Sequence, residues 1–409
     1  MRHFLDDKHA PGTPRTAPRV LLLAVTLCVL GGCAEKEADP VPPRATFDAE
    51  LKTPSTVVTS DPALRPVITS RVEAVDAWLD IIRRLQFGEP VPADSYEDLL
   101  GLPAYRIIGD DRKRGNLNRR IMKWTMESIF GGQDAQAAIT AQHPDLIANF
   151  TYLKDRLDIA AGFNGDFCTP ALLDGLRDAL TRYISPEDLP ARIPIHFFAG
   201  TVLIGFDEPD RFAMDIGLAI AAGPDQTAKL LASRLYATLA PRDGVEPDLG
   251  RTGAEKLAGA FRMLRLTAVS SWLGEKDAIR FDGAHPLLAT QASHASVMRE
   301  DARLVLERIS LMMNNLLDPV SETGQEKYGN KTHNFLRFND RYETCGWTMA
   351  DAIVAHAGEK GLREAAGGTV SFLRAYQAAA LAPAPDGRRR PFPFPAGQFE
   401  DLITHLQTY

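Results

Sequence analysis

The sequence predicts an α+β fold, mostly helical, with a small sheet set in mid-chain, and three observations carry that expectation. Apolar residues recur at helical spacing over long stretches on both sides of the middle of the chain. Around Pro190 the periodicity changes to short β-branched and aromatic segments bounded by Pro and Gly. Directly afterwards, the run from Gly223 to Pro241 carries Leu231, Leu235 and Leu239 on one helical stripe and ends at a proline that cannot continue the helix. With 409 residues, 45% of them hydrophobic, the chain can bury a large core as one domain or two lobes. Its net charge of -7 leaves no electrostatic footprint for nucleic acid.

Taken in order, Met1–Gly32 reads as an export signal. Arg2, Lys8, Arg15 and Arg19 flank the apolar run Val20–Leu30, which is too short for a stable membrane span. The run ends Leu30-Gly31-Gly32-Cys33, a sequence that resembles the bacterial lipobox. That resemblance implies a lipidated (palmitate-bearing) Cys33 as the mature N-terminus, hence a cell-envelope protein anchored to a membrane and facing periplasm or exterior. Residues 33–60, with Pro40, Pro42 and Pro43, read as a flexible tether. Cys168 and Cys345 remain beyond them, either bonded to each other or as two buried thiols, and no C-x-x-C spacing suggests a zinc ribbon.

Residues 61–190 form the expected N-terminal helical region. Val72, Val75, Trp78, Leu79, Ile82 and Leu85 describe one amphipathic helix, and Ile121–Phe130 and Asp145–Ala161 two more. The cluster Asp110–Arg114 reads as a solvated turn, and His143 as a surface residue without a partner at metal spacing. Residues 191–380 open with three candidate strands: Ile193–Phe198 and Thr201–Phe206, paired through an Ala199-Gly200 turn, and Phe212–Gly217. Helices are expected over Ala254–Leu273 and Arg303–Leu317, with Met312 and Met313 as core filler. Between them, Asp243, Glu246 and Asp248 lack EF-hand spacing and read as a solvated loop. Residues 381–409 comprise the basic loop Arg388–Pro395 and a closing helix, Phe399–Leu406.

The segment leading through Gly223-Pro224-Asp225 into Leu231-Ala232 resembles an uncharacterised bacterial family of gluzincin-type, zinc-dependent peptidases, whose helix there carries an L-A-H-E-x-H-H run. Further likeness lies in Leu99–Tyr105, Trp272-Leu273, Tyr342–Ile353 and Ser371–Tyr376, so that it extends over about Asp61–Tyr376. The resemblance implies a gluzincin-like fold with a small sheet before the active-site helix, two facing ligand helices, and an edge strand able to bind extended peptide. An H-E-x-x-H helix holds one metal between two histidines four apart, with the Glu as general base. Here Ser233 stands at the first histidine, Arg234 at the catalytic glutamate, Ala237 at the second histidine and Thr267 at the third ligand, a glutamate. None can bind zinc or act as base, so no metal or cofactor is expected and no catalytic residue is assigned. Tyr236, Tyr342 and His356 are candidate cleft-lining residues. His285 and His294 share no helical face and are separated by Pro286, and no nucleophile elbow or Walker loop occurs. Three readings follow: a metal-free pseudopeptidase that binds peptide or protein, a hydrolase with a non-standard site, or a structural envelope lipoprotein whose cleft is filled.

Overall fold

Four short strands are brought together from both sides of the expected helical region. The computed structural model describes residues 57–110, 118–132, 143–201, 212–240, 252–274, 283–285, 288, 302–316, 331–332, 334–337, 341–383 and 392–408. Cys33, the expected signal and nearly all of the tether lie outside the described residues. So do residues 111–114 of the charge cluster, the expected strand from Val202 to Phe206, Asp243, Glu246, Asp248, His294 and Arg388–Arg390.

Strands β1 (Val57–Thr59), β2 (Val67–Arg71), β3 (Arg192–Phe198) and β4 (Phe212–Asp215) form one sheet in the order β1-β2-β3-β4. β1 is antiparallel to β2, with Val57 opposite Arg71, whereas β2, β3 and β4 run parallel, with Val67 opposite Arg192 and Phe198 opposite Asp215. Strand β1 therefore lies inside the stretch read as tether. The sheet also straddles residue 190, so the residues on either side of it share one core. Parallel strands need cover on both faces, and β4 is buried along its whole length.

Helix α1 (Glu73–Phe87) buries Ala74, Val75, Trp78, Leu79, Ile81 and Ile82 and ends at Gly88, whose φ of 67° suits a residue without Cβ. Trp78 meets Phe130 edge-on at 5.6 Å and Phe150 at 5.9 Å, which locks α1 to α4 (Arg119–Gly131) and α5 (Pro144–Lys154). Between α1 and α4 lie α2 (Ser95–Gly101) and α3 (Pro103–Asp110). The helix expected over Asp145–Ala161 is two helices, α5 and α6 (Leu157–Phe167). Asp155 and Arg156 leave helical geometry between them, and the Arg156 guanidinium sits 3.9 Å over the Tyr152 ring. Helix α7 (Pro170–Thr181) starts under a Thr169 cap.

After β4 the chain does not run straight into the long helix. Ile216 and Gly217, expected as strand, open a short helix, α8 (Ile216–Ala222), in which every residue is buried. Gly223, at φ 79°, turns the chain into α9 (Pro224–Leu239), with Leu231, Leu235 and Leu239 buried as expected. Helix α10 (Gly253–Leu273) begins with a capping box between Thr252 and Glu255. Next come α11 (Ala302–Leu316) and α12 (Arg341–Ala366), the latter kinked at Gly358 (φ 69°). α13 (Thr369–Leu381) and α14 (Ala396–Thr408) close the chain.

Helices α10 and α12 approach closely at Gly346. A Cβ at Gly346 would lie 2.7 Å from the Ala268 nitrogen and 2.8 Å from Thr267 Oγ1. Gly346→Ala must separate the two helices, so it should lower stability by about 1–3 kcal/mol, read as a reduced urea midpoint at unchanged slope.

Candidate functional site

The two helices that the peptidase resemblance pairs do face one another. Ser233 on α9 is 2% exposed, and its Oγ lies 3.0 Å from Ser270 Oγ on α10. The approach is close because a Cβ at Gly274 would fall 2.9 Å from Ser233 Cβ. Thr267 is turned elsewhere. Its hydroxyl lies 3.0 Å from the Tyr342 carbonyl on α12 and 2.7 Å from the Met263 carbonyl one turn earlier.

Arg234 is exposed on α9, and Ala237 is half-buried. Tyr236 and Tyr342 are buried, and the rings of Tyr236 and Tyr183 make a T-shaped contact. His356 is exposed on α12 just before its kink. Thus Ser233 and Thr267 are engaged in helix packing, with Thr267 meeting the Tyr342 backbone, while Arg234 and His356 stand in solvent. Among the described residues no group of three or more His, Cys, Asp or Glu is placed to hold a metal ion. Cys168 and Cys345 are separate buried thiols, each pushed up to about 12 chiefly by burial.

A second polar cluster sits at the carboxyl ends of β3 and β4, where ligand crevices form in open α/β sheets. Asp215, the last residue of β4, is wholly buried. Its Oδ2 accepts from the Gly200 N–H at 2.7 Å. Its Oδ1 accepts from the Leu218 N–H at 3.1 Å and from Asn149 Nδ2 at 2.9 Å. As N-cap of α8 it satisfies an N–H of the first turn. Asn149, on α5, spends its other amide hydrogen on the Gly200 carbonyl at 2.7 Å. Its Oδ1 lies 3.2 Å from Nε2 of His285. Because both amide hydrogens have acceptors, the oxygen is what meets the imidazole, and His285 Nε2 must carry a proton.

The cluster is closed on every described side. Tyr105, from α3, donates to the Ala199 carbonyl at 2.6 Å. The rings of Tyr152 and His285 are 4.5 Å apart. A Cβ at Gly217 would come 1.9 Å from Asn149 Oδ1, so this position of α8 admits only glycine without displacement. Burial pushes the Asp215 carboxyl up to about 7, against the opposing pull of the Gly200, Leu218, Asn149 and Gly217 donors. Reading the sequence by motif did not find this cluster. One signal was present: Asp215 is the single charge within the apolar run Phe212–Ala222, and a lone charge in a buried run must be paired.

No family model, curated protein or solved structure matches the chain.

Asn149→Ala would strip a partner from Asp215, His285 and the Gly200 carbonyl at once. Stability should fall by about 2–4 kcal/mol in urea denaturation, more than for removal of an ordinary surface amide. Gly217→Ala should do at least as much damage, visible as loss of soluble folded protein or a lowered Tm.

Proposed function

We propose that this chain is a lipid-anchored bacterial envelope protein of peptidase-like ancestry that performs no hydrolysis, its former ligand helices now serving as a packed seam. The observation that carries this reading is the sealed contact of Ser233 with Ser270, backed by Gly274. A zinc site needs room for an ion between its ligands, and a catalytic one keeps a coordination position open. Two hydroxyls that satisfy each other at the centre of a helix contact leave no such room. A peptide-binding pseudopeptidase, the other non-catalytic reading, needs open space between Ser233, Ala237 and Thr267. The packing of Ser233 and the turning of Thr267 toward Tyr342 favour the structural role over it. Arg234, exposed on α9, is free of the burial that a catalytic base would share with substrate.

Anchoring is carried by Leu30-Gly31-Gly32-Cys33. Full-length protein should label with radioactive palmitate and fractionate with membranes, and Cys33→Ser should abolish both. Persistence of membrane association with the label gone would overturn the anchor.

The seam has its own test. Ser233→His overfills the contact and should cost about 1–3 kcal/mol, whereas an open cleft would accept it with little change. Titration of a broad peptide pool by calorimetry should give no heat of binding. Stoichiometric zinc in freshly purified protein, or peptide affinity that Ser233→His removes, would sink the structural reading.

A further inference from the structure

Residues 392–395, just before α14, lie against α13 as a bound peptide would. Tyr376 donates its hydroxyl to the Phe392 carbonyl at 2.6 Å. Gln377, the next residue, donates from Nε2 to the Phe394 carbonyl at 2.7 Å and accepts the Phe394 N–H on Oε1 at 2.9 Å. One side-chain amide thus captures both main-chain groups of one residue, as the facing residue does in a hydrogen-bonded strand pair. Pro393 and Pro395 carry no N–H, so the Phe394 N–H is the only main-chain donor in residues 393–395, and Gln377 takes it. The same prolines bias Phe392 and Phe394 toward extended backbone, which presets the segment for docking.

The Phe394 side chain is the anchor. It is 2% exposed, and its ring meets Phe261 of α10 edge-on at 6.2 Å, Tyr376 edge-on at 6.1 Å and Phe399 of α14 stacked at 6.4 Å. Gln377 is itself buried, so an empty site would leave its amide without these partners in the core. Recognition therefore uses main-chain atoms and one aromatic ring, features that any proline-aromatic-proline segment can offer. We propose that Tyr376, Gln377 and the ring pocket beside Phe261 form a binding site for extended proline-aromatic-proline peptide, filled in this chain by Pro393-Phe394-Pro395 as an internal ligand. A partner protein's segment of that chemistry competes for the site. In displacing Phe394 it also frees α14, whose Phe399 N–H is tied to the Pro395 carbonyl. Residues 382–391 tether the internal ligand to α13, and a short tether gives an effective concentration on the order of millimolar. A weak peptide thus finds the site closed in the wild-type chain, in keeping with the absence of binding heat expected above.

Two measurements on the full chain decide it. A fluorescein-labelled peptide with the sequence of residues 390–396, followed by anisotropy, should bind Phe394→Ala at least about tenfold more tightly than the wild type, because the internal ligand has lost its anchor. Adding Gln377→Ala to that variant should weaken binding about tenfold or more, and a peptide with alanine in place of Phe394 should not bind. Absence of saturable binding to folded Phe394→Ala, or equal binding of the alanine peptide, overturns the site. Native-state amide exchange of the wild type should show Phe394 and residues 399–406 opening together, with protection at least about tenfold below that of the α10 core. If α14 exchanges only together with α10, the proposal falls even where Phe394→Ala fails to fold. Wild-type dimers that the peptide dissociates would make the occupant a second copy and overturn the reading of a separate partner.

Discussion

The burial of a single carboxyl group at the end of β4 is the constraint on which the rest of the architecture turns. Removing a charge from water costs several kcal/mol, and the group must be answered by donors or lose its charge. Here the donors are mostly backbone N–H groups, which can reach Asp215 only if β3 ends beside β4, α8 begins at once, and α5 lies across the gap. Those requirements fix where the chain turns. They also explain why position 217 is glycine, since a methyl group there would occupy the place of the Asn149 amide oxygen. Helix α8 in turn delivers the chain through Gly223 into α9, so the seam inherits its placement from the carboxyl.

The seam works by a different physics. Ser233, Ser270, Gly274 and Gly346 are all small, and their effect is to bring α9, α10 and α12 close. Close approach multiplies dispersion contacts, each tiny and collectively large. A helix contact built this way is incompatible with a solvent-lined groove at the same place. The resemblance to gluzincins and the close packing are thus two sides of one substitution pattern, on the proposed reading: imidazole and carboxylate need space for an ion, whereas a hydroxyl and a missing side chain use that space for contact.

How much of this was legible in the sequence depends on how local each cause is. Helices α1, α4, α9, α10, α11 and α14 were legible from the sequence itself, and α12 only through the resemblance over Tyr342–Ile353. Strands β1 and β2 were missed because runs as short as Val57–Thr59 carry too little period-two pattern to stand out, and the pairing of β2 with β3 joins residues more than a hundred positions apart. The interruption at Asp155-Arg156 escaped notice because neither residue is a helix breaker; a guanidinium stacked on Tyr152 accompanies the turn. Ile216 and Gly217, the first residues of α8, were read as strand because an all-buried run has no periodicity to report. The facing of α9 and α10 was legible through resemblance, but the partner of Ser233 was not. Ser270 rather than Thr267 meets it, a matter of one helical turn that sequence spacing leaves undecided.

Asn149 and His285 were the hardest to foresee, and the reason separates the carboxyl cluster from the hydroxyl pair. The Ser233–Ser270 pair is neutral in every accessible state: each hydroxyl can donate or accept, so the contact tolerates rotation and is indifferent to pH. Asp215 has no such freedom. Its oxygens are surrounded by fixed N–H donors, its charge depends on the medium, and its neighbours must be of the right type at every point. A hydroxyl pair can be exchanged for apolar groups of similar shape with little loss, because nothing is left unsatisfied. Replacing Asp215 in the same way would orphan the Gly200 and Leu218 amides and the Asn149 amide group together. Of the two, the carboxyl cluster makes the stricter demands on the type of residue at positions distant in sequence, which is why it organises the fold and the seam merely closes it.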